Sequence, residues 1–206
     1  MRQENMNFKY GNKEMEYLKL RDKRLGEVID RIGPIRWMVE PDLFSAVVRN
    51  IISQQISGKA AESILARVEN ALGEITPDAV SKTSMDAFSS CGVSCRKASC
   101  IKDFADRILA GGIDLDAIAK MPDADAIATL TSLHGIGVWT AEMLLLFTLQ
   151  RPDVLSYGDL GIQRGMRMVY RHRKITKELF EKYRRRLSPC GSVASLYFWK
   201  VSGGAI

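Results

Sequence analysis

Two stretches hold the residue types that can do chemistry: Leu-His-Gly-Ile-Gly-Val-Trp-Thr-Ala-Glu-Met from Leu133, and Asp-Val-Leu-Ser-Tyr-Gly-Asp-Leu-Gly-Ile-Gln-Arg-Gly-Met from Asp153. Gly135 and Gly137 permit a tight turn and the close approach of another backbone, Ile136 can anchor that turn in a core, and the helical pattern that follows opens with amides lacking intrahelical acceptors. Such amides suit a phosphate, and backbone donors position a nucleic acid without reading its sequence. A plain turn between packed helices is the alternative for a bare Gly-x-Gly. Asp159 stands ahead of a further helical pattern, where a lone Asp is ordinarily an N-cap. His134 and His172 share no metal-ligand spacing; His134 reads as a capping, solvent-facing or phosphate-touching side chain. Cys91, Cys95 and Cys100 are spaced by four and five with only the distant Cys190 as a fourth, which fits buried thiols better than a zinc or iron–sulfur site.

The charge pattern points to a partner. Of 206 residues, 30 are Lys or Arg and 24 Asp or Glu, a net +6. Between residues 151 and 190 eleven basic side chains face four acidic ones, an excess of seven, so the rest of the chain sums to −1. A basic field so concentrated suits a polyanion, nucleic acid first, although a solvated charged face is the plainer alternative. At 46% hydrophobic and 26% charged residues the composition is that of a folded globular chain, not a disordered one. The polar opening MRQENMNFKY lacks the apolar core of a signal peptide, and no apolar run approaches the roughly 20 residues a membrane span needs, so a soluble cytoplasmic protein is expected, associated with the nucleoid if bacterial.

The positioning elements are helices. Apolar residues recur at three- and four-residue spacing and alternating runs are nearly absent, which predicts an all-α fold with helices near 13–32, 42–53, 57–72, 84–90, 94–110, 123–131, 138–149, 159–171, 176–187 and 192–202. All six prolines fall between these segments, and Ser57, Thr76, Ser94 and Thr176 stand as caps ahead of helical patterns. The first ten or so residues are expected to be loose or to pack late.

Together, LHGIGVWTAEM and DVLSYGDLGIQRGM resemble the helix-hairpin-helix and Gly/Pro-Asp loop of the DNA glycosylase superfamily, most of all its 3-methyladenine (alkylated-base) branch. FSAVVRNIISQQISGKAAESI is similar to the helix pair with its Gln-rich turn, CGVSCRKASCIKDFA to the Gly-Leu-Ser-x-x-Lys-Ala segment and SPCGSVASLYFW to the closing helix, so the likeness spans about residues 40 to 202. It implies a two-lobed helix-hairpin-helix fold over 1–206 with two closely packed lobes, a hairpin motif at about 123–149 and a Gly-Asp loop at 157–161. The longer family form's N-terminal β-domain is expected to be missing.

The resemblance further implies that Asp159 is the catalytic carboxylate, set where positive charge develops on a deoxyribose as its N-glycosidic bond breaks. Some members use a lysine two residues after the second hairpin glycine to cleave the backbone. Trp139 stands there, and an indole forms no imine, so a monofunctional hydrolase without lyase activity is expected. Trp139 is then a wall for an extruded base or a packing residue, and Tyr157, Trp37, Phe44 and Trp199 are further aromatic candidates that alone read as core. An electron-rich pocket would favour cationic alkylated purines. Gln54 and Gln55 fall where the family fills the gap left by a flipped nucleotide, with solvated glutamines as the alternative. His134, Gly135, Ile136, Gly137, Val138, Thr140 and Arg164 complete the expected DNA contacts. Cys190 departs from the pattern, standing where an aromatic is presented in alkylation glycosylases.

The implied activity is excision of alkylated purines from damaged double-stranded DNA by a monomer. No cofactor is required, no iron–sulfur cluster is expected, and the one metal the family brings is an alkali cation at the hairpin. Glycosylases for oxidised, deaminated or mismatched bases, a noncatalytic hairpin DNA-binding protein, and a helical scaffold meeting a protein partner are the rival readings.

Overall fold

The computed structural model describes residues 7–205 and divides into two compact units. Unit 1 is built from the chain up to Val39 and again from Leu145 onward; unit 2 is the contiguous Glu40–Leu144. Among the described residues there are thirteen helices and one isolated β-bridge, Asn7 with Met38, so the chain is all-α as expected.

Unit 1 opens with α1 (Asn12–Arg21) and α2 (Lys23–Ile32). A single helix over 13–32 was the expectation; the chain breaks instead at Asp22, whose extended backbone (φ −146°) lets its carboxylate cap α2 by accepting the Leu25 N–H at 3.0 Å. A short acidic side chain offers the backbone this alternative to helix continuation. The expected looseness of the first ten residues does not hold for 7–10, while residues 1–6 lie outside the described chain. Phe8 is buried, its N–H reaches the Trp37 carbonyl at 2.8 Å, and the Tyr10 hydroxyl donates to the Ile35 carbonyl at 2.8 Å.

The rest of unit 1 is α11 (Leu160–Tyr170), α12 (Lys177–Leu187) and α13 (Gly191–Ser202). Helix α13 is buried from Gly191 to Phe198 and again at Val201, the mark of a helix at the centre of a core. Its first turn is held by Asp153, which accepts the Gly191 N–H at 3.0 Å and the Ser188 hydroxyl at 2.5 Å. Helix α11 meets α13 backbone to backbone: a Cβ built on Gly165 would lie 2.1 Å from the Phe198 carbonyl oxygen.

Unit 2 contains α3 (Leu43–Ser53), α4 (Gly58–Leu72), α5 (Pro77–Lys82), α6 (Met85–Ser90), α7 (Cys95–Leu109), α8 (Leu115–Lys120) and α9 (Asp123–Thr131), and α10 (Val138–Phe147) carries the chain out of it. Helix α8 was not expected, and α5 was marked only by Thr76, read as a cap ahead of a helical pattern, which it is. At six residues each they are too short to show a helical period, though Thr76, Pro77 and Asp114 are the cap residues that start them. Ser57, Ser94 and Thr176 cap α4, α7 and α12 as their types predicted. The core of unit 2 lies where Val47, Val48, Ile51 and Ile52 of α3 and Ala98, Ile101, Phe104 and Ala105 of α7 are buried.

Because the atom facing Gly165 is backbone, no side-chain rotation relieves a methyl group there. Gly165→Ala is expected to force α11 from α13 and cost about 3 kcal/mol, which a melting curve would register as a fall of roughly 6–12 °C.

Candidate active site and nucleic-acid interface

In unit 1 the Asp159 carboxylate is the buried acid at the head of α11. Its Oδ1 accepts two hydrogen bonds, from the Ile162 N–H at 2.8 Å as an N-cap and from the Trp199 indole N–H at 2.9 Å. The preceding loop is tied to the same helix: the Gln163 side-chain amide donates to the Tyr157 carbonyl at 2.6 Å. The Trp199 ring belongs to a cluster of three, with centroids 5.5 Å from Trp37 and 5.5 Å from Phe147, which lie 5.7 Å from each other. All three are half-buried. This arrangement sets an anion of fixed orientation among aromatic rings, with charge-assisted donors on one oxygen.

In unit 2 the chemistry is carried by backbone. Gly135 takes φ 88°, a conformation that favours glycine, and Ile136 is buried as the anchor of the turn. The first intrahelical bond of α10 runs from the Ala141 N–H to the Gly137 carbonyl at 3.0 Å, so the Val138 and Thr140 amides lie ahead of the ladder. The Gln54 side-chain amide donates to the Gly135 carbonyl at 2.7 Å and joins the α3–α4 turn to the hairpin. That turn is in turn clipped by Lys97 of α7, whose ammonium donates to the Ile52 and Gln54 carbonyls at 2.8 and 2.7 Å. Burial pushes the Lys97 ammonium below the ordinary lysine range. Gln55, next along, is exposed and held at φ 58°, a left-handed conformation unusual for a side chain of its kind. A cavity of about 190 Å³ is lined by residues including Gln54, Gln55, Lys97, His134 and Gly135.

Several expected site residues sit otherwise than their assigned roles require. Phe44 was expected at a base pocket but is 1% exposed in α3, stacked on Phe104 at 5.2 Å, because α3 is apolar on every face it turns to α7. Thr140 was expected at DNA and its side chain is buried, as is that of Ile136, leaving those two positions only their backbone for an outside partner. Tyr157 is half-buried, edge-on to Phe180 at 5.2 Å. Trp139 is 46% exposed and Val138 58%, while His134 and Arg164 are exposed. The basic stretch is partly structural: Arg184 pairs with Glu181 at 2.8 Å, and Arg186 pairs with the buried Asp22 at 2.9 Å and lies over the Tyr183 ring.

Lys97, Phe147 and Gly161 were not singled out from the sequence. Lys97 lay inside the recognised CRKAS segment, which was the available signal; Phe147 sat in an apolar run without distinguishing mark. Two hairpin carbonyls accept protein donors, Leu133 from the Ile136 N–H at 3.2 Å and Gly135 from the Gln54 side-chain amide at 2.7 Å. Among the described residues no three His, Cys, Asp or Glu side chains are grouped as metal ligands, and no helix is long and apolar enough to cross a membrane.

A hairpin with backbone donors and a capped carboxylate ahead of a second helix define a helix-hairpin-helix protein of the base-excision class. The chain belongs to the HhH-GPD superfamily of base excision DNA repair proteins, whose family model matches residues 48–190. It is 34% identical over 185 residues to DNA-3-methyladenine glycosylase 1 of Schizosaccharomyces pombe, covering 87% of this chain and 81% of that one. Its fold is similar to that of a DNA-3-methyladenine glycosidase from Bacillus halodurans, with TM-score 0.86, 33% identity and coverage of 97% and 93%. It is also similar to the S. pombe 3-methyladenine DNA glycosylase in complex with abasic DNA, with TM-score 0.80, 30% identity and coverage of 94% and 98%.

Lys97→Met keeps the apolar stem and removes the donor to two turn carbonyls. The expected result is a chain that folds but binds duplex DNA about tenfold more weakly, an energetic loss of about 1.4 kcal/mol, read by fluorescence anisotropy.

Proposed function

We propose that the chain is a monofunctional DNA glycosylase that hydrolyses the N-glycosidic bond of alkylated purines of the 3-methyladenine type in duplex DNA, working as a monomer in the cytoplasm. The observation that carries this reading is the Asp159 carboxylate, buried, fixed by two N–H donors and flanked by aromatic rings. The names of its relatives, 3-methyladenine glycosylases, support the same reaction class.

The chemistry follows from charge. An N3- or N7-alkylated purine is cationic while attached to the sugar, so its glycosidic bond is already weak and its electron-poor ring is attracted to an aromatic face. Extrusion from the stack costs less for a damaged base than for an undamaged one. As the C1′–N bond breaks, its electron pair leaves with the base, which departs neutral, and positive charge passes to the sugar ring. A carboxylate already oriented there stabilises that cation without reorganising, and in a buried setting it does so more strongly than in water. Water then adds to C1′ and gives up a proton to Asp159 or to solvent, leaving an abasic site.

The remaining roles are distributed over both units. Hairpin amides around Gly137–Thr140, with exposed His134 and Arg164, hold phosphates. Gln55, exposed beside Gln54, supports the duplex where the nucleotide leaves. The ring of Tyr157, in the same unit as Asp159, serves the extruded base, and Trp139 in place of a lysine leaves no amine for a Schiff base, hence no strand cleavage. No cofactor is required; an alkali cation on the hairpin carbonyls would supply only a charge toward a phosphate.

Asparagine at 159 preserves an N-cap acceptor while removing the charge. Asp159→Asn is therefore expected to abolish release of 7-methylguanine from a duplex, at least a hundredfold down in single turnover, with DNA affinity equal or higher. Wild-type protein is expected to release methylated purines in preference to hypoxanthine or 8-oxoguanine and to leave the strand uncut. Preference for 8-oxoguanine would favour an oxidised-base enzyme, and binding with no release across the panel a noncatalytic protein.

A further inference from the structure

The Asp159 site contains a donor that the proposed reaction does not itself call for. We infer that Trp199 is a positioning residue, whose indole N–H locks the Asp159 carboxylate in its working orientation; this rests on Asp159 being the catalytic acid. The indole nitrogen lies 2.9 Å from Oδ1, the oxygen that also caps α11 through the Ile162 N–H at 2.8 Å. Two donors from different helices converge on one oxygen, which fixes both the side-chain rotamer and the plane of the carboxylate. An indole N–H suits the task because it donates one hydrogen bond and accepts none, so it neither neutralises the carboxylate nor takes its proton.

Three further observations bear on this geometry. First, Gly161 keeps the path open: a Cβ there would lie 2.8 Å from Trp199 Cδ1, 3.2 Å from its Nε1 and 3.1 Å from Asp159 Oδ1. Any side chain at 161 would stand where the indole now passes to reach the acid. Second, Trp37 and Phe147 pack against the indole within the same unit, at 5.5 Å each, and hold its ring plane. Third, the α11–α13 approach at Gly165, one turn further along α11, sets the two helices close enough for a side chain of α13 to reach the head of α11. The packing surrounds a hydrogen bond whose acceptor is the reacting acid, which is the pattern of a supporting shell.

The test compares Trp199→Phe, which keeps a ring and removes the donor, Gly161→Ala, which keeps every ring and displaces the indole, and Asp159→Asn as reference. Each is measured for single-turnover release of 7-methylguanine from a duplex, for affinity toward a duplex with a tetrahydrofuran abasic analogue, and for thermal melting. The expected result is a ten- to hundredfold fall in the excision rate constant for both Trp199→Phe and Gly161→Ala, with affinity within about twofold of wild type. Should Trp199→Phe melt early, Gly161→Ala decides by the same split between rate and affinity, since its rings remain. Excision within twofold of wild type in the decisive variant, while Asp159→Asn is inactive, overturns the positioning role, as does a loss of rate matched by an equal loss of affinity. Full excision by Asp159→Asn overturns the catalytic assignment beneath it.

Discussion

One oxygen atom organises unit 1. Oδ1 of Asp159 opens helix α11 as its N-cap and meets the indole of α13, so the local fold and the orientation of the acid are the same interaction. The glycines of α11 follow from it. Gly161 leaves room for the indole at the acid, and Gly165 lets the backbone of α13 approach, so the spacing of four places both on one face of one helix. The ring cluster of Trp37, Phe147 and Trp199 then completes a wall whose polar edge points at the carboxylate.

Unit 2 solves a different problem with different means. A hairpin that offers backbone to a partner must be stiff without using side chains that the partner needs. Gln54 and Lys97 provide that stiffness through three hydrogen bonds to carbonyl oxygens, which leave N–H groups uncommitted by these bonds. Gln55 is held beyond them in a backbone conformation that costs energy, of the sort found where a side chain is presented for use.

Much of this was legible in the sequence, and the gaps have physical causes. Caps and prolines marked most helix ends, since their effects act within one turn; they missed the break at Asp22, where the cap lies inside a continuous apolar period. The hairpin and Asp159 were recognisable as ordered motifs. Their contacts were not, because Trp199 reaches Asp159 and Gln54 reaches Gly135 from forty or more residues away, and nothing in a local pattern states which distant donor meets which acceptor. Phe44 shows the converse: an aromatic residue near the right motif is still most often core, and only its burial against Phe104 decided the matter.

The order of assembly on the ribosome follows from the way the chain is divided. Unit 2 is contiguous and has all its residues once Leu144 has emerged, whereas unit 1 needs the first helices to wait for α11, α12 and α13. Domains generally fold as units during synthesis, amino-terminal material first. A nascent chain can therefore complete the half with the hairpin well before Trp199 exists to meet Asp159, so the acid acquires its fixed orientation only as translation of the final helix finishes.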